Sequence, residues 1–128
     1  MRHVVTEADT ATTVGSGDVP VLSTPQLIAW MEAETVHAAA PFTAAGQTTV
    51  GTALRVEHVR ATPVGGKVDV SADPPPSPVG HRLTFRVRAV DDAGRLVATG
   101  EIDRAVVDRE RFLAAALSTG GGPGTPAR

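Results

Sequence analysis

The clearest hydrophobic pattern along the chain is helical and lies in residues 23–41. Apolar residues recur there at spacings of three and four and form one stripe: Leu27, Ile28, Met31, Thr35, Val36 and Ala39. Ser23 or Thr24 can cap the start of this helix. Pro41 ends it by about Ala40, because proline disfavours the α conformation in the residue before it. The pattern therefore predicts one long amphipathic helix.

Alternation of apolar and polar residues predicts strands in much of the remaining chain. One face of the segment 48–62 carries Val50, Thr52, Leu54, Val56 and His58. In the segment 81–90 three arginines point outward, and the inward positions are Leu83, Phe85, Val87 and Ala89. The other predicted strands are an irregular one at 2–14 and regular ones at 67–72 and 95–107.

The order of these elements is β-α-β-β-β-β, which predicts an α+β fold: an antiparallel sheet with one long helix to cover one face. The proline-rich segment 73–80 is expected to be an exposed connection. A short helix is expected at 109–117. We predict a single domain over residues 1–117 and a disordered tail over 118–128, which has almost nothing to bury.

Composition narrows the classes of function. The chain has 128 residues and a formal net charge of −2, with no run of lysine or arginine, so we expect no nucleic-acid partner. No apolar stretch approaches the ~20 residues of a membrane span, and residues 1–20 lack the apolar core of a signal peptide. The absence of cysteine excludes disulfides and thiolate metal sites. A soluble cytoplasmic protein without a metal site is the expectation.

Three polar residues stand at positions that the pattern assigns to the core. Glu32 lies in the apolar stripe of the helix, and His58 lies on the inward face of its strand. Arg104 shares the parity of its apolar neighbours Leu96, Ala98, Ile102 and Val106. Each has a structural explanation, since a buried histidine can be a hydrogen-bonded core residue and Glu32 can pair with Arg104. The pattern alone leaves a structural role and an active site both open.

Three segments resemble the fluoroacetyl-CoA thioesterase family of hotdog-fold proteins. They are VLSTPQLIAWMEAE, TVGTALRVEHVRATPVG and IDRAVV, within a matched region of about 19–112. In that family a threonine precedes a glutamate by eight residues, as Thr24 precedes Glu32. A histidine follows the glycine of a Gly-Thr pair by seven residues, as His58 follows Gly51. An acidic residue, arginine and alanine lie on the last strand, where this chain has Arg104.

The resemblance implies a hotdog fold and a hydrolase of a small acyl thioester, either an acyl-CoA or an acyl-carrier thioester. It implies no cofactor beyond the coenzyme A of the substrate. The family's fluoroacetyl-specific member has an aromatic lid before the threonine, whereas residues 15–23 contain no aromatic residue and Pro25 replaces an expected glycine. The resemblance therefore leaves the identity of the acyl group open. A noncatalytic acyl-CoA-binding hotdog protein is the alternative, and a hotdog hydratase is disfavoured because no hydratase Asp/His motif is present.

Thioester hydrolysis gives the five matched residues candidate roles. The reaction needs a nucleophile or an activated water, a proton acceptor and donors to the oxyanion. His58 is the candidate general base near neutral pH. Thr24 holds the water or is the nucleophile, and Glu32 orients His58, activates water or attacks the acyl carbon. Gly51, which lacks a Cβ, and Arg104 are candidate substrate contacts.

The helical spacing of two of these residues constrains the site. Eight residues separate Thr24 from Glu32, which is about 12 Å along a straight helix. Either Thr24 precedes the helix proper and its loop folds back, or a second subunit contributes part of the site. Because hotdog relatives pair their sheets edge to edge with sites at the interface, the resemblance implies a homodimer.

Overall fold

The computed structural model describes residues 1–75 and 77–120. Within them, the strands are β1 (Arg2–Val4), β2 (Gln47–His58), β3 (Lys67–Asp73), β4 (Arg82–Asp91) and β5 (Leu96–Asp108). The helices are α1 (Ala11–Val14), α2 (Thr24–Ala39) and α3 (Arg109–Gly120). Single 3₁₀ turns lie at Glu7–Asp9 and Ala40–Phe42.

The five strands form one antiparallel sheet in the order β1-β3-β4-β5-β2. β2 pairs with β5 rather than with its neighbour in sequence, β3, and so forms one edge of the sheet. The predicted element order and the α+β class are confirmed. No helix in the described part of the chain is long and apolar enough to cross a bilayer.

Helix α2 packs against β2, β3 and β4. Ser23 caps it by accepting a hydrogen bond from the Gln26 N–H at 3.2 Å. The buried residues of α2 are Leu27, Met31, Thr35 and Ala39, and the predicted inward positions of β4 are also buried. The predicted stripe was too wide, because Ile28 is half-buried and Val36 is 49% exposed in the single chain.

A bulge in β2 corrects the predicted facing of its first half. Gly51 is paired with Arg104 and Ala53 with Asp103, so Thr52 has no partner in the ladder. The alternation therefore shifts at Thr52. Leu54, Val56 and His58 share one face as predicted, but Val50 belongs to the opposite face and Gly51 takes the inward position.

The predicted ends of two elements, the first strand and the last helix, were wrong. The segment 2–14 forms only a short strand, β1, before it turns into the 3₁₀ turn and α1. The side chain of Thr10 accepts a hydrogen bond from the Thr13 N–H, and the Thr6 N–H donates to Asp9; such local bonds compete with strand pairing. At the other end α3 continues through residues 118–120. Residues 121–128 lie outside the described residues, and the domain division stays a prediction.

A second bulge corrects the parity predicted for the start of β5. The pairing of β5 with β4 shifts between Ala89 and Val90, so Val97 is skipped. Both Val97 and Ala98 are buried, while Leu96 is 38% exposed. Arg104 nevertheless shares the inward face with Ala98 and Ile102, as predicted.

Candidate active site

Thr24 and His58 form a hydrogen-bonded pair. Thr24 is the first residue of α2, and His58 is the last residue of β2, and the distance from Thr24 Oγ1 to His58 Nδ1 is 2.8 Å. His58 Nε2 is buried without a hydrogen-bond partner among the described residues. Burial lowers the pKa of His58 below its ordinary value, because the charged imidazolium loses solvation. A neutral imidazole that contacts a hydroxyl is the arrangement of a base and a nucleophile.

Glu32 and Arg104 form a second group farther along α2. The distance from Glu32 Oε2 to Arg104 NH1 is 3.6 Å, and the side chains are 39% and 7% exposed, respectively. Arg104 donates to Thr49 Oγ1 at 2.9 Å, to the Thr49 carbonyl at 3.0 Å and to Thr35 Oγ1 at 3.4 Å. Burial lowers the pKa of Arg104, and Glu32 opposes that shift. An arginine stays charged in proteins, so the pair is ionic.

Gly51 lies directly against the carboxylate of Glu32. A Cβ added to Gly51 would be 2.6 Å from Glu32 Oε2 and 3.6 Å from Arg104 NH1. Only a glycine at this position leaves the carboxylate where it is. Gly51 faces Glu32 because of the bulge at Thr52, which turns it to the helix side of the sheet.

The structure thus brings the five predicted residues into two groups rather than one. Thr24 is itself helical, so the explanation in which it precedes the helix and folds back is wrong. Glu32 is about 12 Å from Thr24 along α2. Gly51 is about 20 Å from His58 along β2, which is six ladder steps of ~3.4 Å. Within one chain Glu32 does not reach the Thr24–His58 pair.

Two residues of the candidate site escaped the sequence analysis, Thr35 and Thr49, which both accept hydrogen bonds from Arg104. The pattern assigned Thr35 to the apolar stripe, and a threonine inside such a stripe was the available signal for a buried polar partner. Thr49 gave no usable signal, because it faces inward only as a result of the bulge.

A cleft of about 350 Å³ opens beside Thr24 and His58. Its apolar walls include Ala11, Val19, Val21 and Leu22, and Arg60 also lines it. Among the residues that the structure describes, no carboxylate and no phenylalanine, tyrosine or tryptophan lines it. The cleft lets a small uncharged group approach the Thr24–His58 pair.

The outer face of the sheet carries several arginines. Arg55 donates to Glu101 at 3.1 Å and to Asp103 at 2.9 Å. Its guanidinium is therefore already paired with carboxylates. Arg82, Arg86 and Arg88 are exposed.

Comparison with known proteins identifies the family. The sequence profile of the fluoroacetyl-CoA-specific thioesterases matches residues 5–110. The chain belongs to this family of thioester hydrolases. A fluoroacetyl-CoA thioesterase of Streptantibioticus cattleyicolor is 38% identical over 94 residues, which are 73% of this chain and 66% of that protein. The aligned region is thus just under two thirds of that relative's length.

Solved structures of the fluoroacetyl-CoA thioesterase FlK agree with this family assignment. One is 31% identical with a TM-score of 0.84, and the match covers 96% of this chain and 93% of that chain. A variant of FlK in complex with fluoroacetate and CoA is 31% identical, with a TM-score of 0.82 and coverages of 92% and 95%. A hot-dog-like protein of Thermanaerovibrio acidaminovorans, 24% identical with a TM-score of 0.80, covers 96% and 90% and shares the fold. The predicted family resemblance and hotdog fold are confirmed.

Proposed function

We propose that this member of the fluoroacetyl-CoA-specific thioesterase family hydrolyses the thioester of a small acyl-CoA at a site shared by two subunits of a homodimer. Thr24 and His58 come from one subunit and Glu32 from its partner. The observation that carries the proposal is the 2.8 Å hydrogen bond between Thr24 Oγ1 and His58 Nδ1, beside an apolar cleft. A cytoplasmic location stays a prediction.

His58 is the general base of the proposed reaction. Its pKa is lowered by burial, so the ring is neutral at pH 7 and free to accept a proton. The attacking oxygen is Thr24 Oγ1 or a water bonded to it. As the C–O bond forms and the C–S bond breaks, the proton passes to His58 and then to the departing thiolate. If Thr24 attacks, a water then releases the acyl group as a carboxylic acid, and mass spectrometry of a quenched reaction detects the acyl-enzyme.

The free edge of β2 supports the proposed homodimer. The strand pairs with β5 on one side only, and a free strand edge is a template for pairing with another chain. Leu54 is 46% exposed in the middle of this strand. Burial of that side chain against a second copy would stabilise the dimer through the hydrophobic effect.

The register in which two copies of β2 would pair follows from the face of the sheet on which each residue of β2 lies. Residues directly opposite each other in a sheet share a face. Pairing centred on Arg55 sets Leu54 against the partner's Val56. If Thr52 is left unpaired, as it is in the pairing with β5, Gly51 lies against the partner's His58. Because Glu32 touches Gly51, its carboxylate then lies beside the partner's Thr24–His58 pair. The two facing Arg55 side chains each keep their own carboxylate partners.

The second group then has a positioning role. Arg104 is anchored by Thr35 and Thr49 and holds the carboxylate of Glu32 at the subunit edge, so we assign it to Glu32 rather than to the substrate. Gly51 supplies the space that this carboxylate occupies. Glu32 orients the water or the imidazole of the partner's site.

Mixed dimers test the proposal. Thr24→Ala and Glu32→Gln subunits, each inactive alone, are unfolded mildly and refolded together. Statistical mixing gives half heterodimers, each with one intact site, so acyl-CoA hydrolysis should return to about a quarter of the wild-type rate. The matched control mixes Thr24→Ala with His58→Ala. Those residues serve one site from the same chain, so this mixture should stay inactive.

Other results of the mixing experiment contradict the proposal in different ways. Recovery in the control mixture, with none in the first, would reassign the residues between subunits. A wild-type protein that is a monomer in light scattering and fully active would refute the shared site. Wild-type protein that binds acyl-CoA without hydrolysing it would support the noncatalytic alternative instead.

A further inference from the structure

The shape of the cleft beside Thr24 and His58 bears on the substrate. Two of its lining residues, Leu22 and Ala11, are only 1% and 8% exposed and form an apolar floor. An apolar floor suits an aliphatic acyl chain. The pantetheine arm of CoA must instead run out to solvent.

The loop between α1 and α2 holds this cleft open. It is fixed at both ends by backbone bonds, from the Ser16 N–H to the Ala11 carbonyl at 3.1 Å and from the Leu22 N–H to the Thr62 carbonyl at 2.8 Å. Gly17 lines the cleft directly against Ala11, since a Cβ at Gly17 would be 3.3 Å from Ala11 Cβ. A larger side chain at Gly17 would therefore press on Ala11 and displace this wall of the cleft.

The cleft is larger than a two-carbon acyl group needs, and much of its wall is aliphatic. At ~30 Å³ for each water-sized unit, 350 Å³ holds about a dozen such units. Acetyl has three non-hydrogen atoms and butyryl has five. The walls formed by Val19, Val21 and Leu22 are aliphatic and offer a fluorine substituent no polar side-chain partner.

We infer that this cleft is an acyl-chain subsite and that the enzyme prefers unbranched aliphatic acyl groups of four or more carbons to acetyl or fluoroacetyl groups. The inference rests on the proposed thioester hydrolysis. Burial of each methylene contributes about fourfold in binding, so two added methylenes give about 15-fold. The volume sets an upper limit, and chains with many more than about a dozen non-hydrogen atoms do not fit.

A series of substrates tests the inference with wild-type protein. We expect kcat/KM to rise about 15-fold from acetyl-CoA to butyryl-CoA and to fall again by at least about tenfold for palmitoyl-CoA, whose acyl group has more non-hydrogen atoms than the cleft has room for. Fluoroacetyl-CoA, corrected for its faster hydrolysis by hydroxide, should match acetyl-CoA within about threefold. Succinyl-CoA, which has the length of butyryl-CoA and a terminal carboxylate, should be slower than butyryl-CoA.

Variants of the cleft show whether its walls cause the preference. Gly17→Val fills the space next to Ala11, and Val19→Ser removes part of the aliphatic wall. Each should lower the ratio of butyryl to acetyl kcat/KM at least about fivefold. Ala45→Val, which adds bulk to an exposed residue outside the cleft, should leave the ratio unchanged. Because Val19 is 52% exposed, its replacement is tolerated even if Gly17→Val does not fold.

The outcomes separate the inference from the function on which it rests. Hydrolysis with acetyl-CoA or fluoroacetyl-CoA preferred, or with a ratio that neither variant moves, overturns the subsite and leaves thioester hydrolysis intact. Faster turnover of succinyl-CoA than of butyryl-CoA overturns the aliphatic assignment and points to Arg60. Hydrolysis of none of these thioesters overturns the proposed function itself.

Discussion

Replacement of Glu32 by glutamine separates a catalytic carboxylate from a structural ion pair. The substitution keeps the shape of the side chain and an oxygen near the Arg104 guanidinium, and it removes only the charge. Glu32 is 39% exposed and its oxygen is 3.6 Å from the guanidinium, so solvent screens much of the attraction. Arg104 also keeps its bonds to Thr35 and Thr49.

The expected loss of stability and the expected loss of activity therefore differ in size. The free energy of unfolding should fall by about 1 kcal/mol or less, which for a chain of this length moves Tm by no more than about 4 °C. Loss of a group that orients or activates the attacking species should lower kcat at least about 10²-fold, or about 2.7 kcal/mol in the barrier. If Glu32 had only a structural role, the loss of stability would be large and the loss of kcat small.

Thermal unfolding and the release of free CoA thiol from butyryl-CoA measure both quantities on one preparation. Glu34→Gln is the matched control on the same helix, because Glu34 is 18% exposed and its carboxylate pairs with the terminal amine and His37. It should keep the wild-type rate. The reasoning is refuted if Glu32→Gln hydrolyses within about threefold of wild type, or if its activity follows only the unfolded fraction.

Three further predictions concern the same two groups. The base must be neutral, and burial lowers the pKa of His58, so kcat/KM should fall on acidification with a midpoint below the 6.5 of an ordinary histidine. A midpoint above 7 would contradict this role. Arg104→Met should lower the free energy of unfolding by about 2–4 kcal/mol, because Arg104 loses its charged hydrogen bonds to Thr49. The control Arg86→Met, on the exposed outer face, should change Tm by less than about 3 °C. Gly51→Ala should lower kcat at least about tenfold, because the added Cβ displaces the Glu32 carboxylate. The control Ala53→Val should keep the wild-type kcat, and equal rates for both variants would remove Gly51 from the site.

Much of the fold followed from periodicity, because long elements with one buried face carry a strong signal. Helix α2 and strand β4 lie where the pattern predicts them. The first 14 residues did not follow, since threonine has a high strand propensity but its hydroxyl also bonds to nearby backbone groups. Gly100 shows a second limit. A Cβ there would overlap the Arg55 carbonyl, a close approach of β5 to β2 that only coordinates show.

The candidate site was predictable in its residues but not in its arrangement. Glu32 was detectable as a carboxylate in an apolar stripe, and His58 as a histidine on an inward face. Their separation into two groups depends on the register of β2 with β5, which periodicity does not determine. The shift at Thr52 in particular leaves no clear mark, because a single unpaired residue changes the alternation without changing the composition.

The bulge at Thr52 limits how the length of this stretch can change during evolution. Gly51 and His58 are seven residues apart, an odd number that would point them to opposite faces of a regular strand. One inserted or deleted residue between Ala53 and Glu57 would turn His58 away from Thr24. Loss of Thr52 itself would instead leave a regular strand with both residues facing inward. Among related genes, single-residue gaps in this strand are therefore expected at the bulge and selected against between it and the histidine.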